Sequence, residues 1–151
     1  MPITTLNTAP IFSGVGKVGI TTIGQGTSNL NSQSPVIGTN VFVAFSSGSS
    51  GSYVQKVRFQ YTSTTSAINS VATVFKIYYS TVNTGTPTVT QIALIADIQA
   101  PAQTVTTSTS TYPIEVPLNF AMPASTYLLV GQTIAQTAGS GYSVTVYGGD
   151  Y

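Results

Sequence analysis

The sequence predicts an all-β protein built as an antiparallel β-sandwich. Three observations carry that reading. The stretch from Gly51 to Ser80, GSYVQKVRFQYTSTTSAINSVATVFKIYYS, alternates with a period of two over two neighbouring segments. Tyr53, Val57, Phe59 and Tyr61 oppose Lys56 and Arg58 in the first segment, and Phe75, Ile77 and Tyr79 oppose Lys76 in the second. Such a pattern describes strands with one buried and one wet face. The second observation is that only 5% of the residues are charged against 42% hydrophobic, where an ordinary globular chain carries about 25% charged residues. Thr, Ser, Asn, Gln and Gly fill the gap, and these with β-branched and aromatic residues suit a pleated surface better than a helix. The third is a regular succession of short apolar runs separated by polar turns, with no segment of helical period.

Taken in order, Met1 to Pro10 is predicted to be an irregular arm punctuated by Pro2 and Pro10, with residues 11–151 forming one sandwich domain. Between Ile11 and Gly24, Val18 and Ile20 alternate with Lys17, Gly19 and Thr21, which predicts a glycine-interrupted edge strand with bulges. Gln25 to Asn40 reads as a long loop, Val41 to Phe45 as a short strand, and Ser46 to Gly51 as a turn into a central hairpin formed by the two strands of Gly51 to Ser80. Thr88 to Gln99 is a strand with Ile92, Leu94 and Ile98 inward; Pro101 to Thr111 is a loop. Tyr112, Ile114, Val116 and Leu118 alternate inward against Pro113, Glu115 and Pro117, and prolines on the outward parity suit an edge. Ser125 to Ile134 and Gly141 to Tyr147 make the last pair. Eight antiparallel strands in two sheets is the jelly-roll number.

The chain of 151 residues is long enough for a substantial core. A net charge of +1 from four basic residues does not provide a nucleic-acid footprint, and such weak charge offers little resistance to association. With no cysteine there is neither a disulfide framework nor thiolate chemistry. MPITTLNTAP has the features of no classical signal, and no apolar run is long enough to span a bilayer, so synthesis in the cytoplasm without membrane contact is expected.

Candidate chemistry is sparse. Gly14, Gly16 and Gly19 spell GxGxxG, but no helix is predicted to follow, as a dinucleotide site requires, so they read as strand glycines. Asp97, Glu115 and Asp150 are the only acids, and there is no histidine. A hydrolase would need two of them within about 10 Å of each other. Neither a catalytic set, a metal site nor a cofactor is therefore expected. The tyrosines divide by parity, with Tyr53, Tyr61, Tyr79 and Tyr142 predicted in the core and Tyr78, Tyr127, Tyr147 and Tyr151 outside or at a contact. Lys56, Arg58 and Lys76 are predicted to share the outer face of the central hairpin. The terminal Gly148-Gly149-Asp150-Tyr151 would hook its carboxylates onto that basic face, in the same or a neighbouring subunit, helped by two glycines free to take positive φ. These residues, Lys56, Arg58, Lys76, Tyr78, Tyr127, Tyr147, Asp150 and Tyr151, form the candidate interface.

GSYVQKVRFQ, EVPLNFAMPASTYLLVG and the terminal VTVYGGDY together resemble a family of small virion structural proteins of tailed bacteriophages that end in GGDY. The resemblance spans roughly Gly51 to Tyr151; the N-terminal third departs from it, being longer and richer in glycine. It implies a non-enzymatic capsid decoration or cement protein on the virion surface, bound to the major capsid protein. Such subunits are expected to be homo-oligomers, and a trimer suits the quasi-threefold positions of a shell. A glycan- or receptor-binding module of a head fibre or tail, using the loops Gln25 to Asn40 and Pro101 to Thr111 as its rim, is the alternative.

Overall fold

The computed structural model describes residues 14–24, 35–63, 68–106 and 110–151. The expected arm at residues 1–10 lies outside these, as do parts of the two long loops. Eight strands follow in order: β1 (Val15–Ile23), β2 (Val41–Ser46), β3 (Ser52–Ser63), β4 (Thr73–Ser80), β5 (Ile92–Ala100), β6 (Ile114–Met122), β7 (Tyr127–Gln132) and β8 (Ser140–Asp150). They form two four-stranded antiparallel sheets, β1-β8-β3-β6 and β2-β7-β4-β5, here called sheet one and sheet two. First pairs with last, second with seventh, third with sixth and fourth with fifth. That is a long antiparallel ribbon folded over on itself, and the rolling adds the β3–β8 and β4–β7 ladders. The architecture is the jelly roll.

The central hairpin is not formed. β3 lies in sheet one and β4 in sheet two, so the chain crosses the sandwich between them. Apart from Tyr53, both strands do turn the predicted apolar residues inward, and these meet from opposite sheets. Phe59 and Phe75 stack with centroids 4.1 Å apart and planes 3° from parallel. Tyr142 of β8 stands edge-on to Phe75 at 4.6 Å, and Tyr61 stands edge-on to Tyr142 at 5.3 Å. Edge-to-face pairs suit the aromatic quadrupole, and all four rings are buried. Val54, Val57, Leu128, Val130, Val144 and Val146 complete the interior.

Single inserted residues decide several of the remaining side-chain directions. A register shift between Val54 and Lys56 makes Gln55 an extra residue in β3 against β8, and such a bulge inverts the alternation. Ser52 and Val54 therefore point inward before it, and Tyr53, predicted in the core, lies on the outer face with its hydroxyl 3.4 Å from Asn119 Oδ1. A second shift opposite Ile77 and Tyr78 turns Leu94 and Ile95 of β5 to solvent, at 49% and 40% exposure, in place of the predicted inward Leu94. Ala96, Ile98 and Ala100 take the inward places. β6 is an edge strand, as its prolines predict, with Ile114, Val116 and Leu118 against the core; Tyr112 lies outside the strand and is 52% exposed.

β1 is also an edge, but its faces are reversed from the prediction. Val18 and Ile20 are outward, 55% and 70% exposed, while Lys17, Gly19 and Thr21 turn inward. The cause is the close approach of β2. A Cβ on Gly19 would lie 2.0 Å from the Ala44 carbonyl oxygen, so only glycine fits beneath that backbone. The pairing with β8 runs from Val15–Asp150 to Ile23–Tyr142 without a shift, so the expected bulges are absent from this strand.

The two outer faces differ. On sheet two, Val41, Leu129 and Tyr78 form a second buried cluster with Ile37, Val43, Ile92 and Tyr127 around them. The segment around Ile37 is held over it by a backbone bond from Ile37 N to Gly85 O at 2.9 Å and by the Asn40 side chain, which accepts from Val36 N at 2.6 Å. Sheet one has no such cluster among the described residues.

Candidate interaction face

Register places the residues of sheet one's outer face in rows. Val18, Tyr147, Lys56 and Pro117 lie side by side across β1, β8, β3 and β6; the next row is Ile20, Thr145, Arg58 and Glu115. The first row is organised by Lys56, whose ammonium sits 5.2 Å from the centre of the Tyr147 ring and donates to Glu115 Oε2 at 2.8 Å. That bond, with Arg58 nearby, holds the Glu115 carboxyl below its ordinary value. Arg58 donates from Nη2 to Gln60 Oε1 at 3.2 Å, and its Nε is covered without an acceptor.

All seven charged side chains of the protein are among the described residues, and six of them form three pairs: Lys17–Asp150 at 3.1 Å, Lys56–Glu115 at 2.8 Å and Lys76–Asp97 at 2.9 Å. Arg58 is left over, so the net charge of +1 is located on this face. Lys76 was expected beside Lys56 and Arg58; it belongs to β4 and lies on the opposite side of the sandwich. Tyr78, expected outside, is 7% exposed in the second cluster. Burial first, then the nearby Asp97 carboxylate, push its hydroxyl up to about 12. Tyr127 is half-buried at the margin of the same cluster.

The expected hook of the chain end onto Lys56 and Arg58 is replaced by an internal plug. β8 continues to Asp150 between β1 and β3, and Gly148 and Gly149 are strand residues without positive φ. Gly148 is required there because a Cβ would lie 2.4 Å from the Tyr53 carbonyl oxygen. The Asp150 carboxylate points inward at the end of the sandwich and accepts from the Ser52 hydroxyl and from Lys17 Nζ at 3.1 and 3.2 Å. Lys17 also donates to Ser46 O at 2.6 Å and lies 5.2 Å from the centre of the Phe45 ring. Tyr151 follows at 44% exposure, its backbone nitrogen donating to Gly51 O at 3.2 Å. Lys17 went unnoticed in the sequence as a partner for the tail. The available signal was arithmetic, since three acids face four bases and Lys17 is the one base not on the predicted hairpin.

The Ser52 bond, then Lys17, hold the Asp150 carboxyl below its ordinary value of 3.8. A carboxyl lowered by folding contributes its full stabilisation above the unfolded value and loses it as the pH falls through the folded one. Ser52→Ala is expected to cost about 1 kcal/mol at neutral pH, a charged hydrogen bond discounted for a side chain that is 30% exposed. Urea titrations of both proteins should converge as the pH drops below 3.8; a difference that persists in acid would show that Ser52 acts independently of the carboxylate.

The acids are not brought together. Asp150 and Glu115 face Ser52 and Arg58 on β3, about 20 Å apart at the usual strand rise, and Asp97 is in the other sheet. No group of three potential metal ligands occurs among the described residues. A cleft of about 470 Å³ opens at the end of the sandwich away from Asp150, between Thr22, Phe42, Thr62, Ser63, Ser140 and Tyr142.

Fold and surface thus define a jelly-roll protein whose outer faces differ: that of sheet two is covered around Tyr78 by the Ile37 segment, and that of sheet one has no such cover among the described residues. No family model, curated protein or solved structure matches the chain significantly.

Proposed function

We propose that this chain is a non-catalytic structural subunit of a tailed-phage virion, a capsid decoration protein that lays the outer face of sheet one against the outer surface of the major capsid protein. The observation that carries the reading is the contrast between the two faces. Sheet two covers the apolar residues around Tyr78 with the Ile37 segment and leaves only Leu94 and Ile95 of its edge strand open, while sheet one presents Tyr53, Tyr147, Val18 and Ile20 around a single guanidinium outside any ion pair. Tyrosine and arginine at the centre of a patch are the residue types that dominate protein contacts. Arg58, the one charged side chain outside the three ion pairs, suits a partner carboxylate or carbonyl. The resemblance of the Gly51–Tyr151 sequence to phage virion proteins supports the same class of partner.

Purified protein mixed with capsids that lack it should sediment with them. Arg58→Glu should weaken that binding at least tenfold, about 1.4 kcal/mol. Thr90→Glu, on the exposed Thr81–Gln91 connection near sheet two, should leave it unchanged. Equal binding by Arg58→Glu and wild type would contradict the proposed face.

The cleft at the opposite end favours a second reading, as a glycan-binding module. The hydroxyls of Thr22, Thr62 and Ser140 beside the half-buried Phe42 ring are the mixture that a sugar uses, polar edges with an apolar plate. Glycan-array binding by the wild type that Thr62→Val abolishes would establish it.

A further inference from the structure

The four edges of the sandwich are not equally protected. An open edge offers unpaired backbone donors and acceptors to any passing strand, and proteins guard against this with short strands, bulges, prolines and outward charges. β2 has only six residues and a register shift between Val43 and Phe45. β5 has the shift opposite Ile77 and Tyr78 and carries Asp97, whose side chain is 48% exposed. β6 has a shift, Pro117 in mid-strand and Glu115 facing out. β1 has none of these. It runs nine residues in unbroken register, contains no proline, and its one charge, Lys17, is turned inward and held by Asp150 and Ser46. Its outward side chains include the exposed Val18 and Ile20. Among the described residues, nothing pairs with its free edge.

We propose that β1 is the seam of a homodimer, in which two copies pair their β1 strands antiparallel about a twofold axis and join their first sheets into one of eight strands. The second copy is favoured over a foreign strand because the edge is complementary to itself. With the axis at Gly19, Val18 of each copy lies opposite Ile20 of the other, giving two apolar cross-strand pairs, and Lys17 lies opposite Thr21. No like charges meet, because Lys17 is already neutralised within its own subunit. A whole-protein charge of +1 adds almost no repulsion. The pairing also sets two Arg58–Tyr147 patches on one continuous surface, although the dimer stands independently of what that surface binds.

Sedimentation equilibrium of the full chain at micromolar concentration should return twice its 15.6 kDa mass. Ile20→Lys and Val18→Lys should each reduce the mass to one chain without loss of the strand signal in circular dichroism, since both side chains are exposed in the single subunit. Val89→Lys, which replaces an equally apolar residue 93% exposed away from β1, should remain dimeric. Amide exchange should slow for β1 on raising the wild-type concentration. A wild-type mass of one or of three chains, a dimer that survives Ile20→Lys, or concentration-independent exchange in β1 would each overturn the proposal.

Discussion

Phe59→Ala is expected to lower folding stability by about 4 kcal/mol, measured by urea denaturation. Phe59 is fully buried and stacks on Phe75, which comes from the other sheet. Truncation removes the ring's transfer energy and leaves a cavity that two sheets held apart by Phe75, Tyr142 and Tyr61 cannot close. A double-mutant cycle with Phe75→Ala should return a coupling of about 1 kcal/mol, the aromatic contribution beyond burial. Leu94→Ala is the contrasting substitution. Sequence alternation places Leu94 inward, whereas the structure exposes it, so a change within about 0.5 kcal/mol is expected. A large loss at Leu94 would show that the register of β5 differs from the one described.

Gly19→Ala should destabilise by about 3 kcal/mol or prevent folding, because the added methyl would lie 2.0 Å from the Ala44 carbonyl oxygen and β2 would have to move. In an open strand position the same change would normally stabilise by restricting the unfolded chain. Gly16 supplies that case within the same strand: nothing lies within 4 Å of its would-be Cβ, and Gly16→Ala should gain about 0.5 kcal/mol. Opposite signs at two glycines three residues apart would be hard to obtain unless β1 lies directly over β2. Matching signs in thermal melts would refute that packing.

The contrast at β1 also shows what alternation can and cannot reveal. Strands β3, β4 and β6 were legible because each mixes large apolar residues with charges on alternate positions, and burial of the apolar parity is worth far more than any local preference. Which sheet a strand joins leaves no such mark. β3 and β4 look like a hairpin because they are neighbours in sequence, yet the chain crosses between layers, and this divides Lys76 from Lys56 and Arg58. Gln55 and the irregularity opposite Ile77 each reverse the faces of nearby residues, and no residue type announces them. For Val18 and Ile20 the error was to equate apolar with inward: where β2 approaches within a methyl radius, glycine is inward and valine is left outside. Tyr78 was misplaced for a different reason, since its cover comes from residues around Ile37 and Gly85, remote from it in sequence. Within the candidate face, Lys56, Arg58 and Tyr147 were legible from strand parity. Their alignment into rows with Val18 and Ile20 was not, because it depends on β8 lying between β1 and β3.

That position of β8 governs how the chain reaches its native state. β1 and β3 do not touch as a ladder; each is joined to the other only through Ser140–Asp150. During synthesis β1 therefore cannot join the β3–β6 pair until β8 has left the ribosome, whereas β4 and β5 can pair early. Closing such distant contacts is slow, and the waiting strands are open to wrong partners in the meantime. Refolding should accordingly be limited by the docking of the last strand, with sheet two assembled ahead of sheet one.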